Sequence, residues 1–152
     1  MKITRSCEQN QKGYSLVELL AIIVILGILS SIGIISITKV IAVAKDQAFV
    51  GNAITFKDAA HLYLRDEELQ GNHHTKILYP TLLELNYLDE IKDPYTDGFI
   101  PEIDETFIKV TDNKITDICF YGNNRNLCTK DGLEGPIPID ELSIELIKPN
   151  NK

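Results

Sequence analysis

The sequence contains little of what several classes of protein require. Its 152 residues include no tryptophan and only three cysteines, so the chain is not a disulfide-dense miniprotein. Lys and Arg total 15 against 22 Asp and Glu, a net charge of −7, and so acidic a chain is a poor electrostatic partner for nucleic acid. Hydrophobic residues make up 44% of the chain, which excludes global disorder. We therefore expect a folded chain that does not bind nucleic acid.

Motifs of catalysis and of cofactor binding are also absent from the sequence. It has no phosphate-binding glycine loop and no G-x-S-x-G nucleophile motif. Its three histidines have no Cys or carboxylate at the spacing of zinc ligands. Asp89, Glu90, Asp93 and Asp97 lack an EF-hand pattern, and both a solvated acidic loop and a calcium site stay open for them. We expect a protein that is not an enzyme and needs no cofactor, with no metal ligand assigned.

Charge is nearly missing from one long stretch near the N-terminus. Residues 16–37 contain a single ionisable side chain, Glu18. As a helix, these residues would span roughly 33 Å, about the thickness of the hydrocarbon core of a bilayer. The run is too long for the core of a secretory signal peptide, and no small-residue cleavage site follows it. Lys2, Arg5 and Lys12 all precede it, so we predict a single membrane-spanning helix over residues 14–38 with the N-terminus in the cytoplasm.

Glu18 needs an explanation, because a carboxylate inside an apolar helix is unfavourable and is by default functional. The residues before it provide one. Gly13 has no side chain and leaves the backbone open to a protease, and a cut after it would create a terminal ammonium group on Tyr14. Such a cation needs a counter-charge in an apolar bundle, and Glu18 lies one helical turn away. We expect Glu18 to provide that charge within one subunit or between neighbouring subunits.

The string KGYSLVE at residues 12–18, followed by the apolar run, closely resembles the leader junction of type IV pilins and pseudopilins. The resemblance implies that a prepilin peptidase cuts after Gly13, that Tyr14 becomes the N-methylated N-terminus, and that Glu18 serves in assembly. The chain departs from the family in having Tyr14 where phenylalanine is commonest and Ile35 where many members have a helix proline. The missing proline puts in doubt any local helix melting that depends on it.

The same resemblance implies an organisation and a set of partners. Residues 1–13 would be a basic leader that is removed, residues 14–38 a transmembrane and filament-core helix, and residues 39–152 an extracytoplasmic domain. The implied partners are the prepilin peptidase/methyltransferase, copies of this chain and other pilin-like subunits, the assembly platform in the inner or plasma membrane, and membrane lipid. After assembly, the chain would lie in a filament or at the cell surface.

Beyond the apolar run, the sequence predicts a long helix on a small sheet. Five apolar residues recur at spacings of four and three, which is typical of a helix with one buried face: Phe49, Ala53, Phe56, Ala60 and Tyr63. The first helix is expected to continue to about Leu69 and to stop at Gly71 and Asn72. We therefore predict an α+β, pilin-like fold in which a long N-terminal helix, with its first half in the membrane, packs against an antiparallel sheet.

The remaining elements are predicted from local signals. A capping-box spacing at residues 81–84 indicates a short helix over residues 82–88. β-Branched and aromatic residues, with turn residues between them, predict three or four strands. They are placed at residues 106–111, 115–121 and 126–129, with an edge strand at 142–147.

Two of the three cysteines can form a pair. Cys7 lies in the predicted leader and would be lost on cleavage. With a two-residue loop at Asn123 and Asn124, Cys119 and Cys128 fall directly opposite each other as a non-hydrogen-bonded pair. A disulfide there would require an oxidising compartment, which is consistent with export. Two unpaired buried thiols are the alternative.

Two functions are compatible with these features. The first is a structural subunit of a type IV pilus or pseudopilus-like filament, serving adhesion, motility, competence or protein secretion. The second is a monomeric, single-pass, membrane-anchored binding module in the extracytoplasmic space. The first requires cleavage after Gly13, whereas the second predicts an intact N-terminus and a replaceable Glu18.

Overall fold

A computed structural model describes residues 14–150, except for the side chains of residues 32–36. The long helix α1 (Leu16–Leu69) is followed by β1 (Lys76–Leu78) and a short helix α2 (Tyr79–Glu84). The strands are then β2 (Phe107–Thr111), β3 (Lys114–Tyr121), β4 (Arg125–Leu127), β5 (Thr129–Lys130), β6 (Leu133–Glu134), β7 (Ile137–Pro138) and β8 (Lys148–Pro149). Two 3-10 helices, Ile139–Glu141 and Ile144–Leu146, separate the last two strands. The chain divides into two compact units, of which the first ends at Val40 and the second begins at Ile41.

Helix α1 ends where the sequence predicts. Gly71 has a φ of +81°, the left-handed conformation that glycine adopts at little cost. Its N–H donates to the carbonyl oxygen of Glu68 at 3.0 Å, and the N–H of Asn72 donates to that of Glu67 at 2.9 Å. These two bonds form a Schellman motif, which satisfies carbonyls that the helix end would otherwise leave unpaired. The predicted end of the long helix is thus confirmed.

The predicted apolar stripe of α1 forms part of the core of the second unit. All five of its members are buried, at spacings that place them on one face of the helix. Phe49 and Phe56 pack against Phe120 of β3, with ring centroids 5.2 and 6.1 Å apart. Phe56 also meets Tyr79 of α2 edge-on at 5.5 Å. This part of α1 therefore packs on an antiparallel sheet, and the predicted α+β class is confirmed.

The sheet has six strands in the described part of the chain, in the order β1-β2-β3-β4-β8, and β7 pairs with β3. Strands β2 and β3 form a hairpin whose turn residues, Asp112 and Asn113, have φ values of 50° and 60°. Positive φ at both positions is typical of the turn that matches the twist of a two-residue hairpin. The predicted strands β2 and β3 are confirmed to within a residue or two.

The structure corrects several predicted elements. In the described part of the chain, the main sheet has six strands rather than three or four, and the strand predicted at 126–129 is divided into β4 and β5, with Cys128 between them. The short helix occupies Tyr79–Glu84 rather than residues 82–88, and no side chain caps it. Thr81 lies inside this helix because Pro80, whose fixed φ suits a first helical turn, precedes it. The predicted edge strand at 142–147 is wrong, since the 3-10 helix Ile144–Leu146 lies there and the strand that pairs with β4 is Lys148–Pro149.

Candidate processing and assembly site

A reciprocal pair of hydrogen bonds fixes the start of helix α1. The N–H of Glu18 donates to Ser15 Oγ at 3.3 Å, and the N–H of Ser15 donates to Glu18 Oε2 at 3.0 Å. The carbonyl oxygen of Ser15 accepts the first intrahelical bond, from the N–H of Leu19 at 3.1 Å. Ser15 and Glu18 therefore form a capping box, which satisfies N–H groups that have no partner inside the helix. The carboxylate also lies near the positive end of the helix dipole, which stabilises it.

The structure places the predicted site residues as follows. Tyr14 and Glu18 are both exposed, and Tyr14 precedes the helix. Gly13 and Cys7 lie outside the described residues. The carboxylate of Glu18 is bonded to the backbone of Ser15, a residue that the sequence reasoning did not single out. The string Ser-Leu-Val-Glu at 15–18 has the spacing of a capping box and could have identified it.

The first turns of α1 expose apolar side chains on every side. Large side chains between Leu16 and Leu29 have exposed fractions from 45% at Ile22 to 82% at Leu16. A contiguous apolar surface of this kind marks a site of contact with lipid or protein. Two serines follow this surface, and both of their hydroxyls are hydrogen-bonded within the helix. Ser30 Oγ donates to the carbonyl oxygen of Leu26 and Ser31 Oγ to that of Ile28, each at 2.7 Å.

The sequence predicts a membrane-spanning segment over residues 14–38. In the described part of the chain, no helix is both long enough and apolar enough to cross a membrane.

The structure contains a disulfide between Cys119 and Cys128. Pairing of Phe120 with Leu127 and of Tyr121 with Asn126 sets the register of the β3–β4 hairpin. The cysteines follow as the next opposed pair, with a Cα–Cα distance of 4.5 Å, which is typical of a non-hydrogen-bonded pair. Both are buried. The register is the one that a two-residue loop predicts.

The acidic loop after α2 is held by one buried carboxylate. Asp93 Oδ2 accepts hydrogen bonds from the N–H of Asn123 at 2.7 Å and from Asn123 Nδ2 at 3.0 Å, while Oδ1 accepts from the N–H of Tyr95 at 2.9 Å. This carboxylate therefore joins the loop to the turn between β3 and β4. Among the described residues, no three His, Cys, Asp or Glu side chains are grouped as metal ligands would be.

A second polar cluster ties the end of α1 to the segment before β1. His74 Nε2 lies 2.8 Å from Glu67 Oε2, and Asn72 Nδ2 donates to the same oxygen at 2.9 Å. These two hydrogen bonds, with the one from His74 as the larger cause, hold the pKa of Glu67 below its ordinary value. The ring of Tyr63 packs on His74 with centroids 5.3 Å apart. The cluster reinforces the helix end and brings together no groups with an evident chemical role.

Comparison with known families gives one match, over residues 9–34, to the prokaryotic N-terminal methylation motif. Comparisons with curated proteins and with solved structures give no match. The matched residues include Gly13, Tyr14, the capping box and most of the apolar run. The chain therefore carries, at residues 9–34, the N-terminal methylation motif that is characteristic of type IV pilins and pseudopilins.

Proposed function

We propose that the chain is a non-enzymatic structural subunit of a type IV pilus or pseudopilus-like filament. A prepilin peptidase removes residues 1–13, Tyr14 is N-methylated, and residues 14–38 hold the chain in the membrane before assembly. The observation that carries the proposal is the methylation motif at residues 9–34, with Glu18 placed in the first turn of a long apolar helix.

The capping box suggests how Glu18 can serve two partners. Cleavage after Gly13 leaves the Ser15 N–H in place, because the new terminus lies one residue earlier, at Tyr14. A carboxylate has two oxygens and about four acceptor positions, so Glu18 can keep its bond to Ser15 while it accepts from an ammonium group. Charge-assisted bonds of that kind are stronger than neutral ones, and inside an apolar bundle each of the two charges requires the other.

The exposed apolar surface of α1 supplies the driving force for assembly. Side chains from Leu16 onward would be covered by lipid before assembly and by the helices of neighbouring subunits afterwards. Residues 39–152 carry 12 basic and 20 acidic side chains, a charge of 12 − 20 = −8. Like charge on every copy opposes association. Cohesion must therefore come mainly from the helices and from the pairing of Tyr14 with Glu18.

Four variants test the proposal in the native host: Gly13→Ala, Glu18→Ala, Glu18→Gln and Ser15→Ala. Gly13→Ala should block processing and leave the leader on the chain. Glu18→Ala should be cleaved but fail to assemble, because the terminal ammonium has lost its counter-charge. The readouts are the N-terminal mass of the membrane-bound chain and the amount of filament sheared from cells.

Glu18→Gln and Ser15→Ala separate the charge from the cap. Glutamine can still reach back to the N–H of Ser15, so Glu18→Gln keeps the helix start and removes the charge. Ser15→Ala weakens the helix start by about 1 kcal/mol and keeps the charge. We expect filaments from Ser15→Ala and none from Glu18→Gln. Normal filaments from Glu18→Gln would refute the charge pairing, and an uncleaved wild-type chain would favour a monomeric, membrane-anchored binding module.

A further inference from the structure

The second unit contains a cavity of about 450 Å³ between α1, the β2–β3 turn and the 3-10 helix Ile139–Glu141. Its apolar wall includes Leu64 and Ile139. Its polar lining includes Lys57, Asp58 and His61 of α1 and Lys114 of β3. The cavity thus combines an apolar wall with one ion pair, Lys57–Asp58, and a further cation, Lys114.

Two details define what would complete the cavity. Lys57 Nζ lies 2.8 Å from Asp58 Oδ1, so Lys57 already has an anionic partner, whereas Lys114 is exposed. Asn113 Oδ1 is buried, and no hydrogen-bond donor meets it in the described structure. A buried acceptor without a donor is unfavourable. A complementary group would therefore offer a carboxylate to Lys114, an N–H to Asn113 and an apolar side chain to the wall.

One surface segment of this same chain has that combination. The tip of the β5–β6 hairpin is Asp131-Gly132, with φ values of 52° and 79°. Leu133 follows the tip with an exposed fraction of 76%, and the side chain of Asp131 is also exposed. An ion pair between Lys130 and Glu141 anchors the base of the hairpin. A narrow, anchored tip can enter a concave site with little loss of conformational freedom.

We propose that the cavity receives the β5–β6 tip of a second copy of this chain, so that Asp131 of one copy faces Lys114 of the next and Leu133 packs against Leu64 and Ile139. An N–H of the tip would then meet Asn113 Oδ1. The contact rests on the proposed filament for its biological setting. It would add an attractive, specific contact between domains whose net charges repel.

Photo-cross-linking tests the contact in the full chain. Leu133 is replaced by a diazirine amino acid, the chain is mixed with isotope-labelled wild-type chain in membranes, and cross-linked peptides are mapped by mass spectrometry. We expect links from position 133 to labelled peptides that contain Leu64 or Ile139. The control carries the diazirine at Leu69, which is 87% exposed and should not label the cavity. Links only within one chain, or to other surfaces, would overturn the proposal.

A charge swap then tests the ion pair. Asp131→Lys in the diazirine chain, or Lys114→Glu in the labelled chain, should each lower the yield of the cross-link several-fold, and the two substitutions together, one in each chain, should restore it. If the two substitutions together lower the cross-link yield further and do not restore it, the pairing of Asp131 with Lys114 is overturned. Filaments that form without the cross-link would refute this contact and leave the proposed function intact. A cross-link in a chain that forms no filaments would support the contact and refute the proposed function.

Discussion

The disulfide allows the most direct test of how the second unit is stabilised. Cys119 and Cys128 are nine residues apart and close a loop of ten residues. In the chain-entropy treatment, such a loop restricts the unfolded chain by about 2.7 kcal/mol at 25 °C. The double variant Cys119→Ala/Cys128→Ala should lower the free energy of unfolding by about that amount. Since both residues are buried, the lost sulfur contacts add to the effect.

Urea unfolding of the full chain in detergent, followed by tyrosine fluorescence, measures this change. Replacement of the third cysteine, Cys7→Ser, is the matched control and should leave the midpoint unchanged. Reduction of the wild-type chain with dithiothreitol should shift the midpoint in the same direction as the double variant. A loss below about 1 kcal/mol in both experiments would show that the bridge does not restrain the unfolded chain as the loop-closure argument requires.

Two further predictions concern packing and titration. A Cβ on Gly122 would lie 2.7 Å from Phe49 Cε2, so Gly122→Ala should lower the free energy of unfolding, measured with urea, by about 1–3 kcal/mol. The control Gly51→Ala, in open space within α1, should raise it by up to about 1 kcal/mol. An unchanged urea midpoint for Gly122→Ala would contradict the close contact. Burial and the hydrogen bond to Asp46 raise the pKa of Tyr95 in the folded chain above that of an unfolded tyrosine, about 10. The contribution of Tyr95 to the free energy of unfolding is therefore complete below pH 10 and decreases as the pH rises further. Tyr95→Phe should make that fall less steep by up to about 1.4 kcal/mol per pH unit, and an unchanged slope would show that the hydroxyl is not held protonated.

The parts of the fold that the sequence predicts are those with strong local signals. The apolar stripe of α1 repeats at the helical period over four turns, and Gly71 marks the end of the helix. The two-residue loop at Asn123 and Asn124 fixes the register of its hairpin, and with it the opposition of the two cysteines. In each case neighbouring residues carry the information, so no knowledge of distant contacts is needed.

The missed elements are short and depend on partners far away in the sequence. Strands β1, β7 and β8 have two or three residues each, too few to show an alternating pattern. Strand β8 forms because its two residues pair with Arg125 and Asn126 of β4. The bond between Asp93 and Asn123 joins residues 30 positions apart, and only the folded chain brings them together. Local propensity cannot predict such contacts.

At the candidate site, in contrast, the local sequence itself contains the signal for the helix start. The sequence pointed to Gly13, Tyr14 and Glu18 through charge and cleavage chemistry. The same string has the capping-box spacing of Ser15 and Glu18, and the structure contains both hydrogen bonds of that box. The backbone N–H of Ser15 orients the carboxylate on which the proposed assembly depends, and the Ser15 hydroxyl caps the helix.

The N-terminal mass of the chain purified from the membranes of its own host tests the central claim most directly. Processing by a prepilin peptidase predicts a chain that begins at Tyr14 and carries one additional methyl group on its terminal nitrogen. A chain that still carries residues 1–13, in a host whose prepilin peptidase is active, would contradict the account. The apolar helix would then serve only as an anchor, and Glu18 would need a different partner.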